Sequence, residues 1–204
     1  MAQVAPVKTP LTPAQVRQAY IDGYQAVTGE PIPANRLAYS WAVTMLETGY
    51  GKHLYNNNFG NIKCFAQCKE SGNNWSYPSA AHGDLRAHNT PAEGAAGWWH
   101  LIFGNRYKDI LPLVDEGRFY NAAYLMGERG YYEANKSVYS SSIQQICEDY
   151  WQRWPADKPT PELKPQPDEP LPAKSQPTKI FPFVLGAAAG LALTMILAQR
   201  LTTR

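Results

Sequence analysis

Glu47 is the first residue in this chain whose type and position suggest chemistry. It closes the run Trp41-Ala42-Val43-Thr44-Met45-Leu46, so its carboxyl group leaves an apolar wall. Desolvation disfavours a charged carboxylate and raises its pKa, as a general acid working near neutral pH requires. On position alone, a glutamate at a helix end is more often a solvated charge. A second constellation is Cys64-x3-Cys68 followed, after 13 residues, by His82-x5-His88. This falls within the loose spacing of a Cys2His2 zinc site. A zinc finger would need one helix carrying both histidines, and Pro78 with Gly83 argues against that helix. The preferred expectation is a Cys64–Cys68 disulfide, which suits a domain outside the cytoplasm; a structural zinc or two free thiols are the alternatives. Cys147 lies on an apolar helix face and reads as a small buried hydrophobe.

The elements that must position these residues are mostly helical. Thr12-Pro13 followed by Val16, Tyr20, Ile21, Tyr24 and Val27 gives a cap, a first-turn proline and 3-4 spacing. Pro33 opens a second helix through Leu37, Trp41, Thr44 and Met45 to Glu47, stopped by Gly49 and Gly51. Residues 55–90 are rich in Asn, Gly and Ser without a helical period, and predict a loop or small β-lobe. Thr90-Pro91-Ala92-Glu93 reads as a capping box, with Trp98, Trp99, Leu101 and Ile102 on the buried side. Short helices come next, from about Lys108 and from about Gly117 to Glu128. A last helix from about Ser137 carries Tyr139, Ile143, Ile146, Cys147, Tyr150 and Trp151 on one face. The expected fold class is mainly α, with one small irregular or β lobe inserted after the second helix.

Composition divides the 204 residues into unlike parts. Residues 1–154 carry 13 Lys+Arg and 13 Asp+Glu, so the net charge of +2 belongs wholly to residues 155–204. That balance gives no electrostatic case for nucleic acid, and three Cys are too few for a disulfide-built mini-protein. No repeat and no Gly-rich phosphate loop appears. Residues 1–11 read as a flexible N-terminus without the basic start and apolar core of a signal peptide. Residues 12–154 are large enough to bury one real core. Residues 155–179 hold eight Pro in 25 positions and read as an extended linker, able to reach roughly 75 Å at ~3.1 Å per residue. Residues 180–198 contain no charge and would form a helix about 28 Å long, close to the thickness of a bilayer core. Lys179 precedes this segment, and Arg200 and Arg204 lie in the basic tail 199–204. The expectation is a single C-terminal transmembrane helix, whose Gly186 and Gly190 would let two copies approach as a homodimer.

Glu47-Thr48-Gly49-Tyr50-Gly51-Lys52, then Asn57-Asn58-Phe59-Gly60-Asn61-Ile62-Lys63, resembles the active-site stretch of the peptidoglycan endo-β-N-acetylglucosaminidases of the autolysin and flagellar type. These are members of the lysozyme-like superfamily. Arg86-Ala87-His88, Asn105-Arg106-Tyr107 and Gly130-Tyr131-Tyr132 with Tyr139 resemble later segments of that family, in the family's order, over about residues 13–152. The resemblance implies a lysozyme-like helical domain. It also implies that Glu47 protonates the glycosidic oxygen of a β-1,4-linked amino sugar. Asn57, Asn58, Phe59 and Gly60 would line the cleft, with backbone and amides holding the sugar N-acetyl group. Tyr131 matches the family tyrosine beside the reacting centre, and Tyr132 is its neighbour. No cofactor or metal is implied.

Glycoside hydrolysis ordinarily needs a second carboxylate. In this family it lies in the β-lobe, where Glu70 and Asp84 are the carboxylates of residues 55–90; Glu70 is slightly preferred. If neither reaches the cleft, the sugar's own 6-hydroxyl would attack, as in a lytic transglycosylase. The expectation is thus a membrane-anchored enzyme whose partners are peptidoglycan strands and a lipid bilayer, its catalytic head facing the cell wall. The setting would be the membrane of a bacteriophage virion or a bacterial envelope. A non-catalytic peptidoglycan-binding or scaffold protein is the rival of another class.

Overall fold

The computed structural model describes residues 2–64, 75–79 and 83–159. The stretch from residue 160 onward, with the expected membrane segment, Gly186 and Gly190, lies outside them, as do Cys68, Glu70 and His82. Among the described residues no helix is long and apolar enough to cross a membrane. Six α-helices and one three-stranded sheet are described, so the chain is mainly helical with a small β-lobe.

Helix α1 (Pro13–Thr28) starts on a complete capping box. Thr12 Oγ1 accepts from the Gln15 N–H at 3.3 Å, and Gln15 Oε1 accepts from the Thr12 N–H at 2.9 Å. Helix α2 (Ala34–Glu47) is buried without interruption from Leu37 to Leu46, which makes it the central helix rather than an amphipathic one. Trp41 Nε1 donates to Pro13 O (3.0 Å), and the Tyr20 and Thr44 hydroxyls meet at 2.6 Å in the core, so α1 and α2 are fixed in register. Helix α3 (Pro91–Phe103) lies along α1, with the Trp98 and Trp99 rings edge-on to Tyr20. Thr90 caps it as expected, but the Glu93 carboxylate reaches past Thr90 to accept from the Asn89 N–H at 3.0 Å.

A 3₁₀ turn at Lys108–Ile110 leads into α4 (Leu111–Asp115), and α5 (Phe119–Glu128) and α6 (Lys136–Arg153) complete the body. Helix α6, capped by Asn135, packs on both α2 and α5. Cys147 is buried on it, with Sγ 3.7 Å from Ala38 O.

The sheet runs in the order β1 (Ala2–Gln3), β2 (Trp75–Ser79), β3 (Gly83–Arg86). β1 is parallel to β2; β2 and β3 are antiparallel, with Tyr77 opposite Leu85 and Ser76 opposite Arg86. Tyr77, Leu85, Ala87 and Val4 make a separate small core.

Both ends of the folded unit depart from the sequence reading. Instead of a flexible N-terminus, residues 2–11 form a strap of paired backbone. Val4 N donates to Ser76 O (2.8 Å), Thr9 N to Leu54 O (2.9 Å) and Leu11 N to Gly51 O (3.2 Å). The Asn56 side chain grips both Val7 N and Ala5 O. At the other end the fold continues past Trp154, where the linker was expected to begin. Pro155–Asp157 forms a 3₁₀ turn, and Arg17 forks onto Asp157 through Nε and Nη2, both at 2.8 Å. Tyr150 donates its hydroxyl to the same carboxylate at 2.6 Å.

Candidate active site

Glu47 is the last residue of α2. The helix ends there because Thr48 and Gly49 redirect the chain. Thr48 Oγ1 donates back to Thr44 O (2.6 Å) and accepts from the Gly51 N–H (3.0 Å), while Gly49 takes φ 57°. The loop beyond it is conformationally costly. Tyr50, Asn56, Asn57 and Asn61 all have φ near +50 to +60°, and they are the non-glycine residues in the left-handed region among those described. Asparagine tolerates this region; for tyrosine it costs about 1–2 kcal/mol. Such strain persists only where the surroundings enforce it, and it clusters at functional sites.

The reversal returns Asn61 to Glu47. Asn61 Nδ2 lies 3.3 Å from Glu47 O and 3.4 Å from Oε2. From the first turns of α6, Tyr139 donates its hydroxyl to Oε1 at 2.8 Å. Each carboxylate oxygen therefore has a donor, and the two donors come from different elements. Among the described residues no Lys or Arg pairs with Glu47. Burial raises its pKa above the usual carboxylate range, although the Tyr139 and Asn61 donors pull the other way. The residue as a whole nonetheless keeps partial exposure to solvent.

Two further tyrosines complete the surroundings. Tyr132 stacks on the Tyr139 ring (centroids 3.7 Å apart, planes 16°) and donates to Ala123 O at 2.9 Å. Tyr131 donates to Gly60 O (2.9 Å) and accepts from Trp98 Nε1 (3.3 Å). Burial first, then the nearby Glu47 charge, keeps the Tyr131 phenol protonated. Gly60 is at φ 82°, and a Cβ there would collide with the Tyr131 hydroxyl, so this junction requires glycine.

The remaining expected site residues lie in the loop after Glu47 and on β3. Asn57, Asn58 and Phe59 were expected to meet substrate, but their side chains are engaged internally. Asn57 Nδ2 donates to His88 O (3.1 Å), while Asn58 accepts from Ile62 N (2.9 Å) and donates to Ile62 O (3.0 Å). Phe59 is 0% exposed and meets Tyr20 edge-on. These residues shape the loop, because buried amides must satisfy their own polar groups before they can serve a ligand. Asp84 sits on β3, its carbonyl accepting from Cys64 N at 2.8 Å.

The expected pairing of Cys64 with Cys68, and the Glu70 role, fall on positions outside the described residues. Cys64 lies opposite Asp84, whereas His88 is four residues further along, about 13 Å at the rise of an extended strand. The His88 ring packs against Gly97 with both nitrogens buried and unpartnered, and burial lowers its pKa to about 4. It is a neutral core imidazole. Among the described residues no group of three or more His, Cys, Asp or Glu could hold a metal ion.

Asn61 and Tyr139 are the site residues that were not singled out by sequence. Both lie inside the quoted family-like segments, and an asparagine following a glycine in a tight loop was the available signal for Asn61. No family model, curated protein or solved structure matches the chain.

Proposed function

We propose that the chain is a peptidoglycan-cleaving glycosidase that breaks β-1,4 bonds between amino sugars, with Glu47 as general acid. The observation that carries this reading is the state of Glu47: on a partly exposed residue, unpaired with any described cation, and raised in pKa by burial at the tip of an apolar helix. The ordered resemblance to peptidoglycan glucosaminidases supplies the substrate class. Tyr139 occupies Oε1, leaving Oε2, met only by the long Asn61 contact, as the oxygen that carries the proton. As that proton passes to the glycosidic oxygen and the C–O bond breaks, Glu47 becomes charged. The Tyr139 and Asn61 donors favour the charged form, so they act on the transition state more than on the ground state.

A lytic transglycosylase is the second reading, since it needs only the one acid that Glu47 supplies. Mass spectrometry of digested peptidoglycan tests both. Reducing ends carrying water oxygen mean hydrolysis, anhydro-sugars mean transglycosylation, and no fragments at all would overturn the assignment in favour of a binding or scaffold protein. The Pro-rich stretch and the uncharged 180–198 segment, with basic residues on both sides, support a membrane anchor in a virion membrane or a bacterial envelope. The catalytic head would then face the wall.

A further inference from the structure

Helix α5 presents Tyr120 and Tyr124 one turn apart, their rings stacked with centroids 6.3 Å apart and planes at 21°. Tyr124 is 39% exposed, although neighbouring α5 residues Ala122, Ala123 and Met126 are fully buried. The pair is an outward aromatic surface on an otherwise core-forming helix. It is also continuous with the site. Tyr132 lies flat across α5, its hydroxyl on Ala123 O and its ring where a Cβ on Gly127 would come within 2.5 Å. Ala123 directly precedes Tyr124 and Gly127 lies three residues beyond it, so Tyr132 meets α5 within a turn of Tyr124. Tyr132 in turn stacks on Tyr139, the donor to Glu47.

We propose that Tyr120 and Tyr124 form a sugar-stacking shelf that holds an amino-sugar unit of the glycan strand beyond the cleaved bond. The inference rests on the glycosidase reading and specifies its substrate as an extended strand rather than a short fragment. Pyranose rings carry faces of C–H groups that pack on flat aromatic rings, while their equatorial hydroxyls and amides face sideways to polar partners. A tyrosine face supplies that contact at a small entropic cost, since only two side-chain torsions must be fixed. Glu128, one turn beyond Tyr124 on α5, pairs with Lys136 at the start of α6, and the two supply a polar margin of both charges suited to neutral sugar hydroxyls and amides.

The test uses the full chain and two soluble peptidoglycan glycans, a disaccharide and an octasaccharide. Binding is measured on the Glu47→Gln background and cleavage on the otherwise native protein. Tyr124→Ala is expected to weaken octasaccharide binding and raise its KM by about 3- to 10-fold, with kcat, disaccharide binding and the melting temperature unchanged. Tyr124→Phe, which keeps the ring, retains native values. Unchanged octasaccharide affinity in Tyr124→Ala, equal weakening of both glycans, or no octasaccharide binding by Glu47→Gln each overturns the shelf. If native protein releases no fragments yet Tyr124→Ala still loses octasaccharide binding, the glycosidase reading fails and the shelf stands.

Discussion

Tyr139 and Tyr150 lie toward opposite ends of α6, and each donates its hydroxyl to a carboxylate: Glu47 at 2.8 Å and Asp157 at 2.6 Å. The two carboxylates respond in opposite ways. Asp157 has its pKa lowered, chiefly because the Arg17 guanidinium forks onto it; Glu47 has its pKa raised, because burial acts with no described cation to offset it. A phenol donor favours the charged form in both places and is outweighed only at Glu47. The same local pair thus meets a cation-paired carboxylate at one end of the helix and, at the other, a buried one with no cation partner among the described residues. What separates them is one arginine and the depth of burial.

The largest expected effect tests the acid. Glu47→Gln should reduce cleavage by about 10²–10⁴-fold, read as release of soluble wall fragments. Because the raised folded pKa means the native state prefers protonated Glu47, its ionisation subtracts stability as pH rises through and above the unfolded value. The same substitution should therefore leave the protein as stable or more stable at neutral pH; a lower melting temperature would contradict the comparison. Tyr139→Phe removes a donor that holds the Glu47 pKa down, so the alkaline limb of the pH–rate profile should move upward, with kcat falling by about tenfold. A downward shift would break the argument.

His88 offers a third buried group, in the lobe. Its pKa is lowered to about 4 from 6.5, so the unfolded chain binds the extra proton; stability is full above 6.5 and lost as pH falls toward 4. Denaturant titration across that window should show a loss of about 2–3 kcal/mol, blunted in His88→Gln. The smallest effect belongs to the Arg17–Asp157 pair. Arg17→Met should cost about 1–2 kcal/mol in chemical denaturation and leave cleavage unchanged, because the pair is partly solvent-exposed. Loss of activity in that variant would mean the two ends of α6 are not independent.

The helix starts were legible because caps are local. Thr12-Pro13 and Thr90-Pro91 announce their helices within four residues, and both are in place. Glu47 was legible for a related reason, since a carboxylate closing an apolar run is visible in one window. Its partners were not. Tyr139 is 92 positions away and reads as one more core residue on the face of α6, and only the packing of α6 on α2 brings its hydroxyl to the acid. For Asn57 and Asn58 the sequence shows the residue types but not the partners of their amides. Their types suit sugar binding, but a left-handed loop under a buried helix consumes its own amides to hold its shape. The N-terminal strap was hidden because backbone pairing leaves little trace in side-chain pattern: Pro6 and Pro10 signal an extended chain, not where it docks.

The Arg17–Asp157 fork also has a mechanical consequence. Tension applied to the chain beyond Lys158 enters the fold at the Pro155–Asp157 turn, and the fork diverts it into α1 before it can unwind α6 from its last turn. Force on that path loads two parallel hydrogen bonds together rather than peeling helical bonds one at a time. Tyr139 lies near the far end of α6, away from the end on which such a pull would act.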